Sequence, residues 1–295
     1  MISKKFDMLA VDQRSSFIKA LKKVFPRVTK SLVKDVKEDI IRTLAPFAGA
    51  VLIDPVYSLD LADLVKGSSK LLFCLEKSGV KKTKGGWLTE LQPGFSVAKA
   101  KRLGAFAVKL NLHYSPLASK KVVNHQRNLV KKVGRACKEH KIPFLLEIIT
   151  YPFNLSVEEF IFRKPFLILD SVREFSKKDY NVRILKLQFP CDLDFVKGFS
   201  KKGFLFTKAD CAEFCQLISK EVRVPWVLLS AGVNIRIFKE QLKIAMRNGC
   251  SGFLAGRAVW QDALKFKDKN KRLRWLRTKG LANLKALNKL VGVKR

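Results

Sequence analysis

The sequence predicts an α/β fold, a (β/α)8 TIM barrel that forms a single domain over residues 1–295. Three observations favour this prediction. Eight short apolar runs recur along the chain, segments with helical spacing separate them, and 295 residues with 47% hydrophobic content are sufficient for a large core. Because strictly alternating strands and helices imply a parallel sheet, eight such units at this length favour a closed barrel over an open, doubly wound sheet.

The eight predicted strands are rich in apolar and β-branched residues, and most of them end in a polar residue that opens a turn or loop. No G-x-G-x-x-G or G-x-x-x-x-G-K-[ST] motif follows the first strand, which removes the main motif support for a nucleotide-binding fold. In chain order the strands are predicted at Met8 to Asp12, Ala50 to Asp54, Lys70 to Glu76, Ala107 to Tyr114, Pro143 to Tyr151, Arg183 to Pro190, Pro225 to Ser230, and Ser251 to Arg257.

The segments between the strands are predicted helices. In Ser31 to Ile41, for example, apolar residues fall three and four positions apart, and Ser31 is expected to cap the start of the helix. Residues 265–295 predict a basic C-terminal helical segment of the same domain, since they contain twelve basic residues and one acid, Asp268.

The distribution of apolar residues and cysteines limits the classes of protein to which this chain can belong. No window reaches the roughly 18 unbroken apolar residues that a membrane helix needs, and the N-terminus has no apolar region followed by a cleavage site. We therefore expect no transmembrane segment and a cytoplasmic protein. The six scattered cysteines lack zinc-ligand spacing, and for Cys211 and Cys215, one helical turn apart, packing is a simpler role than metal binding. No metal or cofactor is expected.

The net charge is unusually high. Lys and Arg total 59 against 25 Asp and Glu, a formal charge of +34. Such a charge predicts nonspecific polyanion binding at low salt. Much of the excess lies between apolar residues in amphipathic positions, which is typical of solvated helix faces.

Charged residues in the middle of predicted strands point to a site inside the barrel. Alternation along a strand puts Lys186 and Gln188 on one face, and puts Lys109 on the same face as Asn111 and His113. Glu147 lies in an otherwise apolar strand. A lysine between leucines is expensive to bury, and a nearby cation with partial desolvation would lower a lysine pKa and free the amine to attack a carbonyl. The glutamate would then carry the proton.

The last two predicted strands end in small residues, Ser230-Ala231-Gly232 and Ala255-Gly256-Arg257. Small residues let backbone N–H groups approach a ligand, and the loops after strands 7 and 8 of such barrels are the usual phosphate site. Purely structural roles are also possible for polar residues at other strand ends. Asp12 and Asp54 are each as suited to capping a loop as to chemistry, and His113 is more typical of a hydrogen-bonding residue than of a catalyst.

Nine segments, in register over nearly the whole chain, resemble the tagatose 1,6-bisphosphate aldolases and the related sulfofructosephosphate aldolases. The segments are Leu9 to Arg14, Leu52 to Pro55, Glu76 to Gly79, Pro93 to Val97, Ala107 to Leu110, Leu146 to Tyr151, Leu185-Lys186, Leu228 to Val233, and Gly252 to Trp260. Gln188 departs from the pattern, because a glutamate is usual two residues after the reactive lysine of this family.

The resemblance implies a class I aldolase, a carbon-carbon lyase that works without a metal. It implies that Lys186 forms a Schiff base with a ketose phosphate, while Lys109 and Glu147 assist proton transfer. It further implies that four residues line the substrate and its phosphate or sulfonate groups, namely Asp12, Gln13, Ser230 and Arg257. The implied reaction cleaves a ketose 1,6-bisphosphate, with tagatose 1,6-bisphosphate favoured, to dihydroxyacetone phosphate and glyceraldehyde 3-phosphate; sulfofructosephosphate cleavage is the alternative.

A second class of function stays open at this point. A barrel with reduced catalysis could bind nucleic acid or an anionic membrane through its basic surface, and that binding would fall steeply with salt. The joint presence of Lys109, Glu147, Lys186 and Arg257 argues against lost catalysis, since unused buried charges are costly. The sequence predicts a phosphorylated sugar as the substrate and leaves a homo-oligomer open.

Overall fold

A computed structural model describes residues 5–200 and 203–295 and contains a closed barrel of eight parallel strands. Around the barrel the order is β1-β10-β9-β8-β7-β6-β3-β2, so each of the eight predicted strands has a counterpart and the predicted α/β barrel is confirmed. The strands in these residues are β1 Phe6–Ala10, β2 Ala50–Ile53, β3 Lys70–Cys74, β4 Lys81–Thr83, β5 Gly86–Leu88, β6 Ala107–His113, β7 Phe144–Ile149, β8 Ile184–Leu187, β9 Trp226–Leu229 and β10 Gly252–Ala255.

Helices surround the barrel and connect its strands. Their starts follow local sequence signals, as at Ser156, whose side chain and that of Glu159 cap the start of α6 reciprocally. The α-helices are α1 Ser15–Leu21, α2 Lys30–Leu44, α3 Ala62–Lys66, α4 Val97–Arg102, α5 Lys120–Glu139, α6 Val157–Phe175, α7 Lys208–Glu221, α8 Ile235–Arg247, α9 Arg257–Trp260, α10 Lys269–Trp275 and α11 Leu281–Val291.

Two apolar cores lie on opposite faces of the strands. The larger fills the space between barrel and helices and takes Val108, Leu110 and Leu112 from β6. The smaller fills the barrel interior with the alternate residues, among them Met8, Ala10, Ala50, Leu52, Leu72, Cys74, Ala107, Leu145, Val227 and Leu254. The predicted alternation of β6 is therefore confirmed, and Lys109 faces the barrel axis.

One local prediction differs from the structure, and one element was not predicted. The cap of α2 is Thr29, whose hydroxyl accepts a hydrogen bond from the Leu32 N–H at 3.1 Å, so the expectation that Ser31 is the cap is wrong. Thr29 has the extended backbone that a cap requires, whereas Ser31 already lies in the first turn. The hairpin of β4 and β5 was not predicted, because its first strand is exposed and has no apolar alternation.

The basic segment 265–295 is mainly helical and packs beneath the barrel. Arg272 donates to Asp39 of α2 with Nε–Oδ2 2.9 Å, and Arg295 donates to Asp7 of β1 with Nε–Oδ2 2.6 Å. The six cysteines are buried, including Cys211 and Cys215 in the core side of α7. Within the described part of the chain, no helix has the length and apolarity needed to cross a membrane.

Candidate active site

A cavity of about 460 Å3 opens at the C-terminal ends of the barrel strands. That end is where barrel enzymes place their chemistry, because the loops after the strands converge there. Eight of the nine predicted site residues line this cavity, namely Asp12, Gln13, Lys109, Glu147, Lys186, Ser230, Gly256 and Arg257. The ninth, Gly232, lies beside Arg257.

Lys186 and Glu147 form an ion pair inside the barrel. The register of β7 and β8 sets Glu147 directly opposite Lys186, and the Oε1–Nζ distance is 2.9 Å. Both side chains are buried, with Lys186 only 4% exposed. A carboxylate at this distance can accept the ammonium proton and leave a neutral amine.

Lys109, in contrast, is surrounded by acids. Its Nζ lies 2.7 Å from Asp12 Oδ2, 2.7 Å from Glu76 Oε1 and 3.1 Å from Glu147 Oε2. Burial alone would lower the pKa of Lys109, but the three carboxylates outweigh it and hold that pKa well above its usual value. Lys109 is therefore held as a cation.

The same contacts keep two of the acids ionised. Burial would raise the pKa of Asp12, but Lys109 and Lys186 outweigh it and lower that pKa to about 2. Burial likewise opposes ionisation of Glu147, and the ammonium groups of Lys186 and Lys109 still bring its pKa below the ordinary range. Glu147 is thus a carboxylate that bridges two lysines, with one oxygen toward each.

Glu76 belongs to this network, although the residue-level analysis of the strands did not single it out. It follows β3, and its second oxygen accepts the Asn111 N–H at 2.9 Å while the first holds Lys109. Arg14 lies 3.7 Å from the same carboxylate and donates to the Glu76 carbonyl at 2.6 Å. The available signal was its position at the end of a buried strand, where an acid at the barrel mouth is expensive unless it is paired.

Arg257 stands at the other side of the cavity, next to the ends of β9 and β10. Among the described residues no acid forms an ion pair with it, so its guanidinium is available for an anion. Gly232 has φ +83°, and a Cβ there would lie 2.7 Å from Cζ of Arg257. A Cβ on Gly256 would overlap the Ala10 carbonyl and approach Nε2 of Gln13 at 2.9 Å. Both glycines are therefore required by close approach.

Two amides on the cavity wall have unused acceptors. Oε1 of Gln13 and Oδ1 of Asn111 are buried and have no hydrogen-bond partner among the described residues. Buried polar atoms are normally satisfied, so such atoms in a cavity are suited to donors on a ligand. Sugar hydroxyl groups are donors of this kind.

Gln188 and His113 also line the cavity. Oε1 of Gln188 accepts two hydrogen bonds from Thr150, from the backbone N–H at 2.8 Å and from the hydroxyl at 3.1 Å. A carboxylate could accept the same two bonds, so the departure from the family pattern changes charge rather than shape. Burial lowers the pKa of His113, which favours a neutral imidazole.

Asp54 lies outside the cavity and has a structural role. It is fully buried, forms an ion pair with the fully buried Lys37, and accepts the N–H groups of Val56 and Tyr57 at 2.9 and 2.8 Å. Of the two roles considered for a strand-end acid, loop capping and chemistry, loop capping is therefore the one found at Asp54. Asp12 instead binds Lys109.

One group in the site has the composition of a metal-ligand set. Possible ligand atoms of Asp12, Cys74 and Glu76 lie within 4.8 Å of one another. The two carboxylates already bind the Lys109 ammonium. Burial raises the pKa of Cys74 well above its usual value, which disfavours the thiolate that a metal needs. The residues therefore fit a buried ammonium better than a metal ion.

Comparison with known proteins identifies similar chains. The model of the family described as DeoC/LacD family aldolase matches residues 6–262. Tagatose 1,6-diphosphate aldolase 2 of Enterococcus faecalis is 32% identical over 96% of this chain and 88% of its own length. Tagatose 1,6-diphosphate aldolase 1 of the same organism is 34% identical over 96% of this chain and 89% of its own length.

Solved structures show the same fold at lower identity. An archaeal fructose 1,6-bisphosphate aldolase superposes with a TM-score of 0.64 at 15% identity, covering 98% of this chain and 94% of that one. A Schiff base forming fructose-1,6-bisphosphate aldolase has a TM-score of 0.62 at 15% identity and covers 97% of this chain and 94% of that one. At these identities the likeness concerns the barrel itself.

Proposed function

The chain belongs to the DeoC/LacD family of aldolases, and from that premise we propose that it is a class I aldolase that cleaves tagatose 1,6-bisphosphate in the cytoplasm. The products would be dihydroxyacetone phosphate and glyceraldehyde 3-phosphate. The observation that carries the proposal is the buried ion pair of Lys186 and Glu147 in the cavity, with Lys109 held as a second cation beside it. The names of the relatives support the choice of sugar.

The choice of Lys186 as nucleophile rests on the difference between the two lysines. Lys109 has three carboxylates within 3.1 Å, whereas Lys186 has one partner, Glu147, among the described residues. An amine must lose its proton before it attacks a carbonyl. The three carboxylates around Lys109 hold its proton in place, so Lys186 is the better nucleophile. Lys109 would instead supply fixed positive charge near the reacting atoms.

The reaction would proceed through a covalent intermediate on Lys186. Glu147 takes the ammonium proton of Lys186, and the neutral amine adds to C2 of the ketose. Glu147 then returns that proton to the carbinolamine hydroxyl, and loss of water leaves a protonated iminium. Glu147 accepts the C4 hydroxyl proton, the C3–C4 bond breaks, the aldehyde leaves, and the electron pair of that bond forms an enamine with the iminium. Glu147 would give the proton it took from the C4 hydroxyl to C3 of the enamine, and addition of water to the resulting iminium would release dihydroxyacetone phosphate and the free lysine.

One anionic group of the substrate would bind at the cavity mouth beside the ends of β9 and β10. Arg257 and the backbone beside Ser230 and Gly256 form the side next to β9 and β10, the usual phosphate position in such barrels. Gln13 offers a buried acceptor to a sugar hydroxyl. A sulfonate could replace one phosphate with few changed contacts, so sulfofructosephosphate is the alternative substrate.

Reductive trapping tests the proposal. Native protein and Lys186→Met are each treated with dihydroxyacetone phosphate and borohydride, and the intact masses are compared. Lys132→Met, which removes an exposed lysine of α5, is the control. We expect a reduced adduct in the native protein and the control, absent from Lys186→Met, with peptide mapping to Lys186. An adduct on Lys109, or none at millimolar ligand, would reject the assignment.

The sugar is tested with the same proteins in a cleavage assay. Tagatose 1,6-bisphosphate, its C4 epimer fructose 1,6-bisphosphate, and sulfofructosephosphate are supplied separately, and release of dihydroxyacetone phosphate is followed. We expect the largest kcat/KM with tagatose 1,6-bisphosphate. A larger value with sulfofructosephosphate would move the chain to the alternative substrate while leaving the class I mechanism intact.

A further inference from the structure

A second cavity lies at the opposite end of the barrel from the candidate active site. It has a volume of about 730 Å3 and is lined by the residues that lead into β7, β8 and β9, together with the C-terminal ends of α5 and α6. This volume is in the range of small-molecule pockets, roughly 300–1,000 Å3. We call it the basal groove.

The basal groove is lined by six cations and, among the described lining residues, by no acid. Two neighbouring carboxylates are already paired: Glu174 holds Lys177 of the groove at 2.8 Å, and Glu221 holds Arg173 at 2.9 Å. Lys177 is thus the lining cation with an ion pair. The other five have none within the described ranges, and they are Lys138, Lys141, Lys178, Arg183 and Arg223.

Helix ends do not account for this concentration of charge. Lysines near a helix C-terminus offset its partial negative charge, which is about half an elementary charge for each helix. Two helices, α5 and α6, end at the groove, so they would balance about one of the five cations. Holding the remaining like charges together costs free energy unless an anion joins them.

A buried hydroxyl gives independent evidence for a ligand. Ser176 lines the groove and is 7% exposed, yet its Oγ has no hydrogen-bond partner among the described residues. Its backbone N–H is already used to end α6, through a bond to the Val172 carbonyl at 2.9 Å. An unsatisfied hydroxyl at the wall of a cationic cavity is suited to an oxyanion.

We propose that the basal groove binds a small molecule that carries two or more linked phosphate groups. Arg183 and Arg223 lie at the entrances of the neighbouring strands β8 and β9, and each guanidinium can hold two oxygens of one phosphate. Lys138, Lys141 and Lys178 then neutralise the remaining charge. One phosphate carries at most about two negative charges near neutral pH, fewer than the five unpaired cations of the groove, so several linked phosphates are preferred.

Calorimetric titration with inorganic tripolyphosphate at 150 mM NaCl tests the proposal. The native protein is compared with Arg183→Gln/Arg223→Gln and with the matched control Arg27→Gln/Arg102→Gln, which removes two exposed arginines outside the groove. Arg257→Ala separates binding in the catalytic cavity from binding in the groove. Thermal melts verify that each variant is folded, and Lys178→Ala replaces the double variant if it is not.

We expect one tripolyphosphate per chain in the groove, at least tenfold weaker binding in the groove variant, and less than a twofold change in the matched control and in Arg257→Ala. Orthophosphate should bind at least tenfold more weakly than tripolyphosphate. An equal loss of affinity in the matched control would show that tripolyphosphate binds nonspecifically to the positive surface. Loss of affinity in Arg257→Ala alone would place the ligand in the catalytic cavity. Either result would overturn the proposal, and so would equal binding of orthophosphate and tripolyphosphate. A parallel titration in which RNA binds and tripolyphosphate does not would also overturn it.

Discussion

Oε1 of Glu147 lies 2.9 Å from Nζ of Lys186, and the two residues face each other across β7 and β8. The other oxygen of Glu147 lies 3.1 Å from Lys109. One carboxylate can therefore take a proton from one lysine while it remains held in place by another. This arrangement gives two chemically identical side chains different roles, because only one of them has a surplus of acids around it.

Replacement of Glu147 by glutamine should nearly abolish cleavage. Glutamine keeps the size of the side chain but cannot accept a proton from Lys186 or from the C4 hydroxyl, and loss of such a base costs about 10²- to 10⁴-fold in rate. We expect kcat to fall in that range, measured by release of dihydroxyacetone phosphate. Glu139→Gln, which changes an exposed acid at the end of α5, is the control and should retain native kcat. A Glu147→Gln enzyme with kcat within threefold of native would exclude Glu147 as the base.

Replacement of Glu76 by glutamine should shift the pH dependence of activity. The three carboxylates hold the pKa of Lys109 above its usual value, so removal of one charge should let Lys109 lose its proton at lower pH. We expect the alkaline limb of kcat/KM to move to lower pH in Glu76→Gln, because fewer carboxylates then hold the proton on Lys109. Glu38→Gln, which breaks a surface ion pair with Arg42, is the control. An alkaline limb that does not move in Glu76→Gln would contradict the conclusion that Glu76 helps to keep Lys109 charged.

Asp12 should contribute stability that acid removes. Its pKa is lowered from 3.8 to about 2 in the folded state, so its contribution is fully present above pH 3.8 and is lost as pH falls toward 2. We expect the free energy of unfolding of native protein to exceed that of Asp12→Asn by about 2 kcal/mol at pH 6. The difference should shrink across that acid window in urea titrations.

A matched control for that experiment is Asp35→Asn, an exposed acid of α2. The free energy of unfolding of Asp35→Asn should differ little from that of native protein at every pH, since surface charges contribute little to stability. A difference for Asp12→Asn that stays constant down to pH 2 would mean that lost packing, rather than ionisation, causes the effect.

Replacement of Gly232 by alanine should weaken binding of the phosphorylated substrate. The added Cβ would lie 2.7 Å from Cζ of Arg257 and push the guanidinium away from its position. Loss of one charge-assisted hydrogen bond costs about 1.5–3 kcal/mol, so we expect KM to rise about tenfold or more. Gly292→Ala is the control, because Gly292 also has positive φ, +76°, but open space around it. Equal KM values in the two variants would contradict this role.

The fold and most of the catalytic cavity were accessible from the sequence because they depend on local periodicity. Alternation along β6, β7 and β8 predicted which side chains face the barrel axis, and Lys109, Glu147 and Lys186 do so. The roles assigned to these residues stay predictions. Glu76 and the hairpin after β3 were missed, since an acid at a strand end and three exposed residues carry no periodic signal.

The sequence by itself determined the order of strands and helices, the face of each strand on which each charged residue lies, and the family to which the chain belongs. Tertiary structure alone decided which lysine is surrounded by acids and where unpaired cations gather. Those properties arise from residues far apart in sequence, such as Asp12, Glu76 and Glu147 around Lys109. Because electrostatic interactions depend on distance and burial, they are fixed only when the barrel closes.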